Sequence, residues 1–251
     1  MRLKGFFLFI LGCFGWLEGA AAADVVFLSQ NSQPKYLMNH PTTKGLCGDL
    51  YTLLAARLKQ KGISSEIQDH YSPINRIFML VKGSPGYAFC GATKTAKREK
   101  KYRYSHFPLY QVSNVLVARA DDHYDPKSYE DLVAQGDAVG ALYGTSSTNV
   151  LRQNIGPLVN DSFTDLESPL KLIGTPPYRL RYFFYHDLGL NYSVKESPYS
   201  LRVIGTKFRT FRQWLIYNPE TPANIAEAIE GALKDIKVSG ELDEVVGRYI
   251  Y

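Results

Sequence analysis

YAFCGATKTAKR, residues 87–98, is a short apolar strand that runs into a glycine, two threonines and an arginine. Glycine and threonine at the carboxyl end of a strand offer free backbone groups and hydroxyls. Arg98 adds a planar fork able to hold a carboxylate by two parallel hydrogen bonds. Gly91, Thr93 and Arg98 together suit a small zwitterion. The aromatic-serine pair Tyr104-Ser105 and Pro108 close the segment.

Upstream, the pattern alternates. Asp24–Ser29 is apolar and β-branched and predicts a first strand. Asp49–Lys61 places Leu50, Leu53, Leu54 and Leu58 at helical spacing. Ser64–His70 predicts a second strand and Pro73–Lys82 a second helix, before the third strand at Tyr87–Cys90. A β-α-β-α-β order predicts a parallel sheet with helices on both faces. Ligands of such sheets gather at the carboxyl ends of the strands, which is where Gly91–Arg98 falls.

Downstream, Val112–Arg119 predicts another strand and the polar stretch Asp121–Lys127 opens a second unit. Its parts are a helix at Ser128–Gln135, a strand at Ala138–Leu142, and Tyr143–Thr148 opening a further helix. Thr145 and Ser146 at that helix start can serve an anion through free amides and the helix dipole, or can simply cap the helix. Arg212–Tyr217 predicts a strand, Thr221–Val238 an amphipathic helix, and Leu242–Tyr251 a last short one.

Residues 1–23 combine Arg2 and Lys4, an apolar run from Phe6 to Trp16, and the small residues Gly19–Ala23. That is the layout of a cleaved export signal, and the run is too short to span a bilayer. Cleavage would leave Cys47 and Cys90 of the three cysteines. In an oxidising compartment such a pair most simply forms one disulfide; a redox or metal pair would want a Cys-x-x-Cys or a nearby His cluster, and neither is there. The formal charge of +5 is mild. The run from Lys94 to Arg103 invites a nucleic-acid reading, but it fits the solvated face of a short helix with Arg98 turned to a cleft. No nucleic-acid partner, metal or other cofactor is expected.

The ordered motifs resemble those of the family 3 periplasmic solute-binding proteins, the polar-amino-acid binders of ABC importers. Gly45-Leu-Cys-Gly-Asp49-Leu50, Thr95-Ala-Lys-Arg98, Tyr104-Ser105-His-Phe-Pro108, Asp131-Leu132, Val139-Gly140-Ala-Leu-Tyr-Gly144-Thr145 and Gly231-Ala232-Leu233 carry the likeness. It implies a type II two-lobed α/β clamp with two hinge crossovers: lobe 1 from residues 24–117 plus 209–251, lobe 2 from 118–208. It implies a periplasmic monomer that takes a small carboxylate-bearing ligand and hands it to a membrane permease or reports it to a membrane receptor. By position, Arg98 resembles the arginine on the ligand carboxylate, Gly91 and Thr93 the contacts to its amino group, and Thr145 and Ser146 the carboxylate contacts of the second lobe. Tyr36 resembles the aromatic over the ligand side chain.

The second-lobe acid that receives the ligand ammonium in amino-acid binders is altered. The register puts His186 at that position, with Asp187 one residue away. Pro73-x-x-Arg76 brings Arg76 either to the cleft as a second anion contact or to the sheet as a cap. An enzyme on the same scaffold, such as a cyclohexadienyl dehydratase, would need an acid or base in the cleft, for which His186, Asp187 and His106 are the candidates.

Overall fold

The computed structural model describes residues 23–250, so the expected export signal lies outside the described residues except for Ala23. Strand β1 (Val25–Gln30) is followed by helix α1 (Leu46–Gln60), β2 (Ser65–Ser72), α2 (Ile74–Gly83) and β3 (Tyr87–Thr93). Both β2 and β3 pair with β1 in parallel. β3 runs three residues past the predicted strand, so Gly91 and Thr93 belong to the sheet rather than to a loop after it.

A single turn, α3 (Ala96–Glu99), and the short β4 (Arg103–Tyr104) lead into β5 (Tyr110–Arg119). The second unit comprises α4 (Tyr129–Gln135), β6 (Val139–Leu142), α5 (Ser146–Ile155), β7 (Val159–Phe163), α6 (Glu167–Gly174), β8 (Tyr182–His186) and α7 (Asp187–Glu196). Strand β9 (Leu201–Tyr217) then returns the chain to the first unit, where α8 (Ala223–Val238) and α9 (Glu241–Gly247) end it.

The strands form one sheet in the order β2-β1-β3-β9-β5-β8-β6-β7, with β4 beside β9. Its two ends are parallel, as βαβ crossovers require. Its centre, β3-β9-β5-β8, is antiparallel. The 17-residue β9 spans both units and pairs antiparallel with β3 and with β5.

Burial divides along β5 and β9. A first cluster gathers Phe27, Leu50, Phe89 and Val112 with Phe211, Leu215 and Ile229. Two smaller clusters on either face of the far half hold Val115, Phe183 and Ile173, and Leu116, Leu151 and Phe184. The change of core falls between Val112 and Val115 on β5 and between Ile204 and Phe211 on β9. There the ladder slips: Asn114 pairs Arg209, but Leu116 pairs Ile204. A bulge at that point bends both long strands where they pass from one core to the next.

Cys47 and Cys90 are joined as a disulfide, with Cα atoms 5.8 Å apart. It fastens the start of α1 to β3 just before Gly91. Among the described residues no helix is long and apolar enough to cross a membrane.

Candidate functional site

A small cavity of about 50 Å³ opens between the halves, at the carboxyl ends of β1 and β3 on one side and of β6 and β8 on the other. Gly91, Thr93, Arg98, Thr145, Ser146 and His186, read from the sequence, all line it. Gln30, Lys35, Phe78, Tyr185 and Gln213, which sequence reasoning passed over, line it as well.

Arg98 is fixed by its neighbourhood. Thr95 caps the turn α3, its hydroxyl accepting from the Arg98 amide. The guanidinium lies 4.1 Å from the centre of the Phe78 ring, a cation–π contact, and one of its N–H groups donates to the Thr93 carbonyl at 3.2 Å. Burial pulls its pKa down, with the Tyr104 and Tyr102 hydroxyl groups opposing. A guanidinium remains charged under such a pull. Among the described residues no carboxylate pairs with it.

Lys35 is a second cation of the cavity, and a buried one. Its side chain is 5% exposed, and its ammonium donates to the Gln30 side-chain carbonyl at 3.3 Å. Desolvation lowers its pKa to about 8. The loop that carries it is held by the start of α1, where the Cys47 and Gly48 amides donate to the Lys35 carbonyl. Gly45 makes this possible. A Cβ there would lie 2.6 Å from the Pro34 carbonyl oxygen and 2.8 Å from that of Lys35, and its φ of +84° is glycine territory. The Lys35 chain then runs over Gly91, where a Cβ would meet its Cδ at 3.4 Å and its Nζ at 3.6 Å.

His186, 6% exposed, ends β8 and caps α7. Its Nδ1 accepts from the Gly189 amide at 2.9 Å, which fixes the lone pair on Nδ1 and places the proton on Nε2. That Nε2 is buried without a partner. Burial, then the neighbouring Lys35, holds its pKa well below the ordinary histidine value, so the ring is neutral. The His186 ring at the cavity wall is therefore uncharged, with a buried and unpartnered Nε2–H.

On the far wall, Thr145 is the N-cap of α5. Its hydroxyl accepts from the Thr148 amide and bonds the Thr148 hydroxyl, which itself donates to the Leu142 carbonyl. With the Thr145 hydroxyl spent in this way, the anion-facing groups there are the free amides of the first turn and the hydroxyls of Ser146 and Ser147. Ser147 in turn accepts from the fully buried Asn114. Opposite, Thr93 accepts from the Gln213 amide at 3.2 Å, leaving Gln213 Oε1 buried and unpartnered. Ser32 and Tyr185 share a hydrogen bond of 3.1 Å that joins the halves beside the cavity.

Two expectations are corrected. Tyr36 does not lie over the cavity: it is 2% exposed, stacks toward Phe89, and donates its hydroxyl to the Cys90 carbonyl at 2.6 Å. Its neighbour Lys35 takes the place in the cavity, because the turn after β1 sends alternate side chains to core and cleft. Asp187 is likewise turned away, its carboxylate accepting from the Ser113 and Leu188 amides at 3.0 and 2.8 Å. His106 is exposed and pairs with Glu230, and Arg76 is exposed on α2; neither lines the cavity. Lys35 carried no signal in the sequence, and Gln213 none beyond its place in the predicted strand Arg212–Tyr217.

Residues 25–251 match the bacterial extracellular solute-binding proteins, family 3. None of the curated proteins matches the chain. Among solved structures, a mutant of ArgBP from T. maritima is similar at a TM-score of 0.74 and 22% identity, covering 90% of this chain and 93% of that one. The GluR0 ligand-binding core from Nostoc punctiforme, in complex with L-glutamate, aligns at 0.73 and 18%, covering 90% and 99%. The ancestral amino acid-binding protein AncCDT-1, a precursor of cyclohexadienyl dehydratase, aligns at 0.73 and 18%, covering 90% and 94%. These likenesses establish a type II periplasmic-binding-protein fold.

Proposed function

Because the chain belongs to the family 3 bacterial extracellular solute-binding proteins, we propose that it captures a small carboxylate-bearing solute between its halves and delivers it to the membrane permease of an ABC importer. The observation that carries this reading is Arg98: a partly buried guanidinium, oriented by Phe78 and Thr93, with no carboxylate partner among the described residues and an open cavity before it. A partly buried cation so placed is costly to the empty protein and is compensated by an anionic guest. The α5 amides across the cavity complete a two-sided hold. Residues 24–117 with 209–251 would form one lobe and 118–208 the other. β5 and β9 would act as the hinge at the slip between Asn114 and Leu116.

Among solved structures of this fold are an ancestral arginine-binding protein bound to arginine and the GluR0 ligand-binding core bound to L-glutamate. Capture of a small acid is common to both uses, and the importer role is the one the chain's family favours. A binder rather than an enzyme is supported by His186, whose basic nitrogen is occupied by the Gly189 amide and so is not offered to a substrate as a base.

Thermal shift and calorimetric titration against amino acids and small carboxylic acids test the proposal. A ligand at 100 times its Kd adds about 2.7 kcal/mol of stability. Arg98→Ala should shrink the shift at a fixed ligand concentration; a shift of unchanged size refutes the clamp.

A further inference from the structure

The cavity holds two cations, Lys35 and Arg98, and no Asp or Glu among the residues that line it. Two carboxylates adjoin lining residues in sequence: Asp187 is spent on two backbone amides, and Glu99 pairs with Lys94. At the position where the resemblance expected an acid to meet a ligand ammonium stands His186, neutral and fixed as an Nε2–H donor with no partner of its own. The Lys35 ammonium occupies the space over Gly91, the very groups expected to receive a ligand's amino group. A bound ammonium would therefore meet a lysine at close range and a histidine N–H, with no opposite charge to receive it.

Resting on the solute-capture reading above, we propose that the ligand is a small dicarboxylic acid without an α-ammonium group. Arg98 and the start of α5 hold one carboxylate, and Lys35 with His186 Nε2–H holds the other. The Lys35 side chain thus replaces the ligand's ammonium with one built into the protein. The unpartnered Gln213 Oε1 gives the site an acceptor suited to a hydroxyl between the carboxylates. The modest cavity fits a short acid.

Calorimetric titration of the wild-type protein with succinate, L-malate, L-aspartate, L-glutamate, L-arginine, L-lactate and inorganic phosphate tests this, repeated with Lys35→Met and Arg98→Ala. Succinate and aspartate differ by the ammonium alone. Succinate or malate should bind at least tenfold tighter than aspartate and lactate, and Lys35→Met should weaken that binding at least tenfold. Several results overturn the inference while leaving solute capture intact: an amino acid bound tighter than its ammonium-free match, lactate or phosphate bound as tightly as the diacids, or diacid affinity unchanged in Lys35→Met. Binding that is absent across the panel, or indifferent to Arg98→Ala, removes the solute-capture reading itself and the inference with it.

Discussion

Replacing Lys35 with methionine should stabilise the empty protein. The Lys35 ammonium sits at a pKa of about 8 against an ordinary 10.5, because burial strips its water and no carboxylate replaces it. Below pH 8 the folded protein keeps this proton at a cost of about 3 kcal/mol, from about 1.4 kcal/mol per pH unit of displacement. Methionine keeps the apolar stem and drops the charge. Loss of the bond to Gln30 returns about 1 kcal/mol, so the net gain at pH 7 is about 2 kcal/mol. For a chain of this size that raises Tm by about 4–8 °C. The sign of the pH effect follows from the same displacement. Between pH 8 and 10.5 the unfolded chain holds more protons at this residue than the folded one. Wild-type stability therefore rises with pH on this account, and the advantage of the variant shrinks toward pH 10.5. Paired urea or thermal melts of Lys35→Met and wild type, both ligand-free, at pH 7 and pH 10 read the gap. A variant no more stable than wild type at pH 7, or a gap that does not narrow with pH, would refute the idea that this ammonium is held at a loss.

Other outcomes follow from the same geometry. Ligand affinity should fall as pH rises above about 8, by up to tenfold per unit, since an anion binds the protonated Lys35 and the free site loses that proton there; titrations at pH 7 and 9 check it. Arg98→Ala should weaken the ligand by roughly 10- to 100-fold, the scale of a charge-assisted pair, with far-UV circular dichroism unchanged. Converting Cys47 and Cys90 to alanine together should cost about 4 kcal/mol in denaturant melts, the loop entropy for cysteines 43 residues apart. Gly45→Ala should cost about 2–3 kcal/mol in the same melts, because its backbone conformation is a glycine one and its Cβ would press on the Pro34 carbonyl oxygen. It should also weaken the ligand, by shifting the loop that carries Lys35.

Local signals made much of the molecule legible. Apolar alternation in Val25–Gln30 and leucine spacing in α1 need only their own residues to be read, and each element lies within a few positions of its predicted bounds. The stretch from Arg152 to Ser200 was largely silent. β7 is short and polar, as Val159-Asn-Asp-Ser-Phe163 shows, and α6 begins without a side-chain cap, so neither carries a local mark. β9 was read at Arg212–Tyr217 alone. Its first half is charged and half exposed, and it is a strand only because β5 pairs with it.

Chemistry divided in the same way. The sequence by itself determined the βαβ order, the two cysteines fit to pair, and the placing of Gly91, Thr93 and Arg98 together at the end of one strand, because strand, turn and cap preferences act over a few neighbouring residues. Only the tertiary structure decided which of Lys35 and Tyr36 faces the cavity, and which of His186 and Asp187. Each of those pairs differs by one residue: Lys35 and Tyr36 lie in the turn after β1, and His186 and Asp187 at the junction of β8 and α7. What fixes the direction is distant in sequence: the Cys90 carbonyl draws Tyr36 inward, and the Ser113 amide draws Asp187 away. The charge of the site, and with it the kind of solute it can hold, rests on those two turns.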